Sequence, residues 1–280
     1  MKLQRAYSIA TLVAVLLGTA ATVARAGISE SDQSVLRSQY VEKVLFFRHC
    51  YRLIDKLEVL QDGTVKGKVQ PGYWAMDGAL QVKTLTFGKD RVSLKGIKLW
   101  ADIKNDGELH YFPASAALGG KGDYPAGLEV IFGAGAEVET AAQFVARVER
   151  VFVSERDSKL ASAPLPISRY IRNEAVQVDI DPVSGAGFKG TPPKPLSTPQ
   201  PNPSREASLI GRMGVESFVV LVDEQGQASV DGFTKMLQFG LEEATIEAVK
   251  KWKFEPGTLD GKPVPLRIAM NIKYESGQKQ

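Results

Sequence analysis

Residues 243–264 read EATIEAVKKWKFEPGTLDGKPV, and how this stretch is read decides the fold of the C-terminal quarter of the chain. From Leu241 to Trp252, Leu241, Ala244, Ala248, Val249 and Trp252 recur at helical spacing, which predicts one apolar face. Glu242, Glu243, Glu247, Lys250 and Lys251 fall elsewhere on the wheel. Acidic side chains lead and basic ones end the segment, as the helix dipole favours. Pro256 cannot continue the helix, so Trp252 and Phe254 are placed where the chain turns out of it, able to close a helix–sheet core.

Downstream, Val264 to Tyr274 alternates strictly. Val264, Leu266, Ile268, Met270, Ile272 and Tyr274 share one face, and Arg267, Ala269, Asn271 and Lys273 share the other. Pro263 and Pro265 lack amide donors and suit the start of an edge strand better than a central one. Upstream, Val215 to Asp223 and Gln227 to Phe233 read as strands around a Gln225-Gly226 turn. The module is therefore ββαβ over residues 205–280.

The order strand, strand, helix, strand, with Trp252-Lys253-Phe254-Glu255-Pro256 followed by Asp260-Gly261-Lys262-Pro263-Val264, strongly resembles the TonB C-terminal domain family over residues 205–275. On that resemblance Trp252, Phe254, Pro256 and Gly261 are structural signature positions. The resemblance implies a non-catalytic module that engages an outer-membrane transporter, or another envelope protein, by adding the partner's strand to its sheet. Arg267, Ala269, Asn271 and Lys273 are the expected partner-binding positions, and a second copy of the chain could pair along the same edge as a homodimer. Energy transduction and transmembrane transport are the processes implied. Family transducers keep an uncleaved anchor containing a histidine and a longer linker; this leader has no histidine, which points to a soluble accessory protein.

Before this module, Thr191 to Asn202 contains Pro192, Pro193, Pro195, Pro199 and Pro201. Residues 182–204 are expected to form a proline-rich linker of about 20 residues, reaching roughly 60 Å if extended. Two tethered domains free to reorient would follow.

Residues 27–181 show mainly period-two patterning. Expected strands are Val41 to Tyr51, Leu57 to Leu60 and Val65 to Val69 around Asp62-Gly63, Ala79 to Phe87 and Arg91 to Ala101 around Gly88-Lys89-Asp90, and Leu128 to Phe132. A short polar helix is expected at 30–39. Glu137 to Glu155 is the one long helix, with Ala141, Phe144, Val145, Val148, Val151 and Phe152 as its stripe. The fold class is α+β, the first domain antiparallel and β-rich. Its Gln39 to Leu45 start and its Pro71-Gly72-Tyr73-Trp74 segment are similar to uncharacterised domains preceding TonB-like modules, which implies no activity.

The leader carries Lys2 and Arg5, an apolar stretch, and Ala24-Arg25-Ala26, the pattern of a secretory signal peptide over residues 1–26. The alternative is an inner-membrane anchor at residues 6–24. The chain has 35 basic and 32 acidic side chains, and Lys2, Arg5 and Arg25 account for the formal charge of +3. The mature chain is then neutral, which argues against nucleic acid as a partner. A periplasmic location follows from the leader.

Cys50, the only cysteine, permits no internal disulfide and is expected as a buried thiol within a strand. His49 and His110 have no ligand-spaced neighbours, so no metal or cofactor is expected. Gly119 to Gly122 and Gly185 to Gly190 lack the lysine and hydroxyl of a phosphate loop and read as turns. Asp223-Glu224 and Glu242-Glu243 are expected to be solvated. The alternative to a binding module is an envelope enzyme with catalytic carboxylates in the first domain.

Overall fold

The computed structural model describes residues 28–88, 91–103, 108–119, 124–133, 140–153, 160, 162–180 and 188–275. The leader, Lys89-Asp90, most of both glycine clusters and the first part of the expected linker lie outside these residues.

The chain begins with α1 (Glu30–Tyr40), β1 (Val44–Phe47), β2 (Tyr51–Arg52), β3 (Lys56–Val59), β4 (Gln70–Pro71) and the single turn α2 (Trp74–Asp77). It continues through β5 (Ala79–Phe87), β6 (Arg91–Ile103), β7 (Leu109–Pro113), α3 (Ala114–Leu118), β8 (Gly127–Gly133), α4 (Ala141–Val151) and β9 (Phe152–Val153). Helix α5 (Leu165–Ile171), β10 (Lys194–Ser197) and α6 (Arg205–Leu209) lead to the C-terminal elements. These are β11 (Gly214–Val222), β12 (Ala228–Lys235), α7 (Leu241–Val249), β13 (Lys253–Glu255), the small β14 (Thr258–Leu259) and β15 (Lys262–Pro263), and β16 (Leu266–Tyr274).

A seven-stranded sheet, ordered β3-β8-β6-β5-β1-β9 with β7 on β6, forms the N-terminal part. The expected β5–β6 pairing is present and antiparallel. Helix α4 starts at a capping box in which Gln143 N–H donates to Thr140 Oγ1 (3.2 Å) and Thr140 N–H to Gln143 Oε1 (2.8 Å). Phe144, fully buried, meets Tyr40, Phe87 and Phe132 with ring centroids 5.2 to 6.5 Å apart, closing a core of its own against the sheet.

Several expectations are corrected. The sheet is not wholly antiparallel, since β3 pairs parallel to β8. The hairpin around Asp62-Gly63 shrinks to a Val59–Val65 bridge on the outer edge of β3, with Leu60 N–H donating to Thr64 O (2.8 Å) and Lys66 N–H to Glu58 O (2.9 Å). Cys50 lies between β1 and β2 rather than within a strand, though it is buried, with Sγ 3.1 Å from Ser162 Oγ. The second long-range surprise is α5, which packs on β12 of the C-terminal sheet.

The two parts do not sit apart on a free tether. Trp74, Trp100 and Tyr124 share one buried cluster with Phe218, Phe239 and Trp252, and the Trp100 and Phe239 rings lie 5.6 Å apart. Arg52 pairs with the buried Glu206 at 2.8 Å. Gln238 accepts from Ile103 N–H (2.6 Å) and donates to Asp102 Oδ1 (3.0 Å). Gly240, at φ +83°, leaves the space that the Tyr73 ring fills; a Cβ there would stand 2.8 Å from the ring. Burial of aromatic faces on both sides explains why proximity wins over the freedom suggested by composition.

Where it is described, the proline-rich stretch, though largely exposed, is likewise tied to the C-terminal part. Strand β10 pairs antiparallel with β13, with an irregular register between Pro195 and Ser197, and Trp252 Nε1–H donates to the Pro199 carbonyl at 2.9 Å. Prolines cannot donate, but their carbonyls accept, and an edge position tolerates them.

Candidate functional site

The C-terminal sheet is three-stranded, ordered β12-β11-β16, so β16 is an edge strand. It starts at Leu266, two residues later than its alternation predicts, because Lys262–Pro263 pairs with Thr258–Leu259 in a separate small hairpin. Leu266, Ile268, Ile272 and Tyr274 are buried, with Met270 partly so. Helix α7 ends at Val249, and Trp252 and Phe254 follow as buried side chains. Gly226, at φ +77°, turns the β11–β12 connection against β13; a Cβ there would meet the Phe254 carbonyl oxygen at 2.0 Å. Gly261 also adopts a positive φ, +76°, in the small hairpin, and Pro256 lies between β13 and that hairpin.

The orientation of the outer edge is fixed by Arg267. Its N–H donates to Asp179 Oδ2 (2.9 Å), and its carbonyl accepts from Asp179 N–H (3.0 Å) and Ile180 N–H (3.2 Å). Both main-chain groups of Arg267 therefore point away from β11. Antiparallel pairing repeats every two residues, so the groups of Ala269, Asn271 and Lys273 point the same way. All four expected partner-binding positions thus turn their main chain outward. The exposed side chains among them are Asn271 and Lys273. Arg267 Nε–H also donates to Asp231 Oδ2 (2.9 Å), and Asp231 Oδ1 accepts from Arg169 Nη1 of α5 (2.8 Å). Burial pushes the Asp231 carboxyl up, but the two guanidiniums outweigh it and hold it below its ordinary value.

Behind the sheet lies a feature the sequence did not reveal. Glu242, expected in solvent, is 1% exposed, and Glu216 of β11 is fully buried. Helix α7 has no side-chain cap at Gly240, so the Glu242 carboxylate bends back to accept from Leu237 N–H (2.6 Å) and Gln238 N–H (2.5 Å). Desolvation first, and the neighbouring Glu242 charge second, push Glu216 well above the carboxylate range. Thr245 Oγ1 sits between the Glu216 carboxyl and the Tyr274 hydroxyl, which in turn donates to Leu241 O (2.9 Å). Glu243 faces the N-terminal part, where it accepts from Trp74 N–H at 2.9 Å. Burial, then the charge of Glu242, raises its pKa to about 7.

In the N-terminal part, Asp77 accepts from Tyr124 OH (2.8 Å), Lys98 Nζ (3.4 Å) and Tyr73 N–H (3.1 Å). Asp77 and Lys98 are both buried, and burial pushes the acid up and the amine down. An open cleft of about 290 Å³ nearby is lined by Arg48, His49, Cys50, Tyr51, Val69, Pro71, Gly72 and Ser162, none of which is a carboxylate. Burial raises the Cys50 thiol far above its ordinary value, the wrong direction for a nucleophile. Among the described residues no cluster of His, Cys, Asp and Glu could hold a metal, and no helix is long and apolar enough to cross a membrane.

Residues 199–276 match the family described as Gram-negative bacterial TonB protein C-terminal. The TonB protein of Vibrio cholerae is 34% identical over 77 residues, covering 27% of this chain and 32% of that protein. The chain thus spans about a third of the length of this curated relative. A solution structure of the Pseudomonas aeruginosa TonB C-terminal domain aligns at 20% identity with a TM-score of 0.25, covering 33% of this chain and 95% of that one.

Proposed function

With a TonB C-terminal domain at residues 199–276 as the premise, we propose that this protein is a non-catalytic periplasmic binding protein. Its β16 edge takes up an extended segment of an outer-membrane transporter or another envelope protein by strand addition. The observation that carries this reading is the outward turn of the main chain at Ala269, Asn271 and Lys273. An edge of this kind offers a row of N–H and C=O groups that an added strand can satisfy, while neighbouring side chains select among sequences. The carboxylate-free cleft and the raised thiol supply no observation that favours the enzyme alternative.

The two kinds of position along β16 separate binding from folding. Asn271→Pro removes an outward donor and should weaken capture of envelope partners by about tenfold, the worth of one or two lost main-chain hydrogen bonds, while leaving the fold intact. Met270→Pro removes a donor aimed at β11 and should instead lower stability by about 3 kcal/mol. Capture from envelope extract on the full mature chain, paired with thermal melting, distinguishes them. Unchanged capture by a folded Asn271→Pro protein would show that partners do not dock along this edge.

The leader is removed between Ala26 and Gly27 on this reading. Intact-mass measurement of the protein recovered from the periplasm should give a chain beginning at Gly27. Recovery of a membrane-embedded chain that retains Met1 would instead support anchoring by residues 6–24 and coupling to the inner membrane.

A further inference from the structure

Part of the β16 edge is already occupied by the chain itself. Between α5 and the edge, residues 174–180 form a strap across the C-terminal sheet. Val176 lies over Gly232 of β12, where a Cβ would come within 2.4 Å of it, so the missing side chain makes the seat for the strap. Gln177 Nε2 donates to Asp179 Oδ1 (3.0 Å), leaving Asp179 Oδ2 to accept from Arg267 N–H and to lie 3.9 Å from the Arg267 guanidinium. Ile180 is 4% exposed within the core, and a parallel bridge to Ile268 turns its carbonyl toward the Ala269 amide. The strap is fixed at its other end through Arg169 and Asp231.

We propose that Asp179-Ile180 is a resident occupant of the docking edge, and that the segments able to displace it present an acidic residue followed by a branched aliphatic one, aligned parallel to β16. This rests on the reading that the edge docks peptides. The chemistry follows from what the strap leaves behind. Once it lifts, Arg267 keeps an unfilled N–H and a guanidinium that favour a carboxylate, and the place of Ile180 remains an apolar socket. A segment lacking the acid would leave that N–H and cation unpartnered at the edge. A segment lacking the aliphatic side chain would leave the socket unfilled. Because the strap belongs to the same chain, it competes at an effective concentration in the millimolar range, so displacement demands a segment that binds better or a strap that has been loosened.

The test uses the full mature chain, labelled with nitrogen-15, and two synthetic peptides. One has the sequence of residues 174–181, EAVQVDID, and the other replaces its first aspartate by lysine. In the wild-type protein the Arg267 and Ala269 amides should exchange with solvent at least about tenfold more slowly than those of Asn271 and Lys273, because only the former face the strap. Ile180→Asp should abolish that difference. It should also let the first peptide shift the Arg267 to Lys273 resonances with an apparent Kd at least about tenfold lower than in wild type, with the lysine peptide about tenfold weaker again. Asp179→Ala, a milder change, should move both readouts in the same direction by a few-fold if Ile180→Asp impairs folding.

Equal binding of the first peptide to wild type and to the loosened variants means that the strap does not gate the edge, although docking there stands. Equal binding of both peptides means that the acid is not read. A loosened edge that binds neither peptide overturns the inference, and the Asn271→Pro capture experiment then reports independently whether partners dock on β16.

Discussion

Replacing Trp252 by Ala will lower the unfolding free energy by about 3 to 5 kcal/mol, the range for removing a large aromatic side chain from a core. The residue is 2% exposed, with the rings of Phe218 and Phe254 6.2 and 6.3 Å away. Its Nε1–H is also the donor to the Pro199 carbonyl. Two consequences are therefore expected together. The C-terminal core acquires a cavity, and the proline-rich stretch loses the side chain that holds it down. Chemical denaturation measures the first, and limited proteolysis between Pro199 and Ser204 measures the second. Trp252→Phe keeps most of the ring volume but not the donor, so it should cost about 1 to 2 kcal/mol and still expose the proline stretch. A loss below about 1 kcal/mol for Trp252→Ala would mean that the indole is not a core group.

The second large effect is on pH dependence, and its sign is set by Glu243. The folded protein holds this carboxyl's proton up to a pKa of about 7, whereas the ordinary value for a glutamate is 4.5. Between those values the native state binds more protons than the unfolded chain, so stability falls as pH rises through the window and levels off above it. The loss amounts to on the order of 3 kcal/mol. Glu243→Gln keeps an oxygen to accept from Trp74 N–H and has nothing to ionise, so it should flatten most of this slope and be more stable than wild type above pH 7. The slope that remains belongs to Glu216 and Glu242, which are raised in the same direction. Denaturation midpoints from pH 4 to pH 8 test it; a Glu243→Gln protein with the wild-type slope would place the effect elsewhere.

Local periodicity made much of this molecule legible. The alternation of Leu266 to Tyr274 matches the burial of β16 except that Met270 is only partly buried, the β5–β6 pairing is present as read, and α4 carries the expected stripe up to Val151, while Phe152 belongs to β9. What escaped was non-local. The occupant of the edge, Asp179, is 88 residues from Arg267, and nothing in the composition of 174–180 announces a strap. Glu242 reads as a solvated first-turn acid, yet it is drawn inward because Gly240 provides no cap of its own. The proline-rich segment reads as a spacer because prolines disfavour regular structure; it is held instead by carbonyls that periodicity does not register.

The arrangement of the two cores has a consequence for the order in which the chain acquires its structure. The cluster built on Phe144 draws only on residues between Ile28 and Phe152, so it can close as soon as that length of chain has emerged. The other cluster cannot. Trp74, Trp100 and Tyr124 wait for partners between Phe218 and Tyr274, far later in the chain, and until then lack the cover that those residues provide. A newly made chain thus passes through a half-finished stage whose exposed surface invites self-association or a chaperone. Completion of the last strand, β16, ends that vulnerability, so the strand proposed as the docking edge is also the one that brings folding to its close.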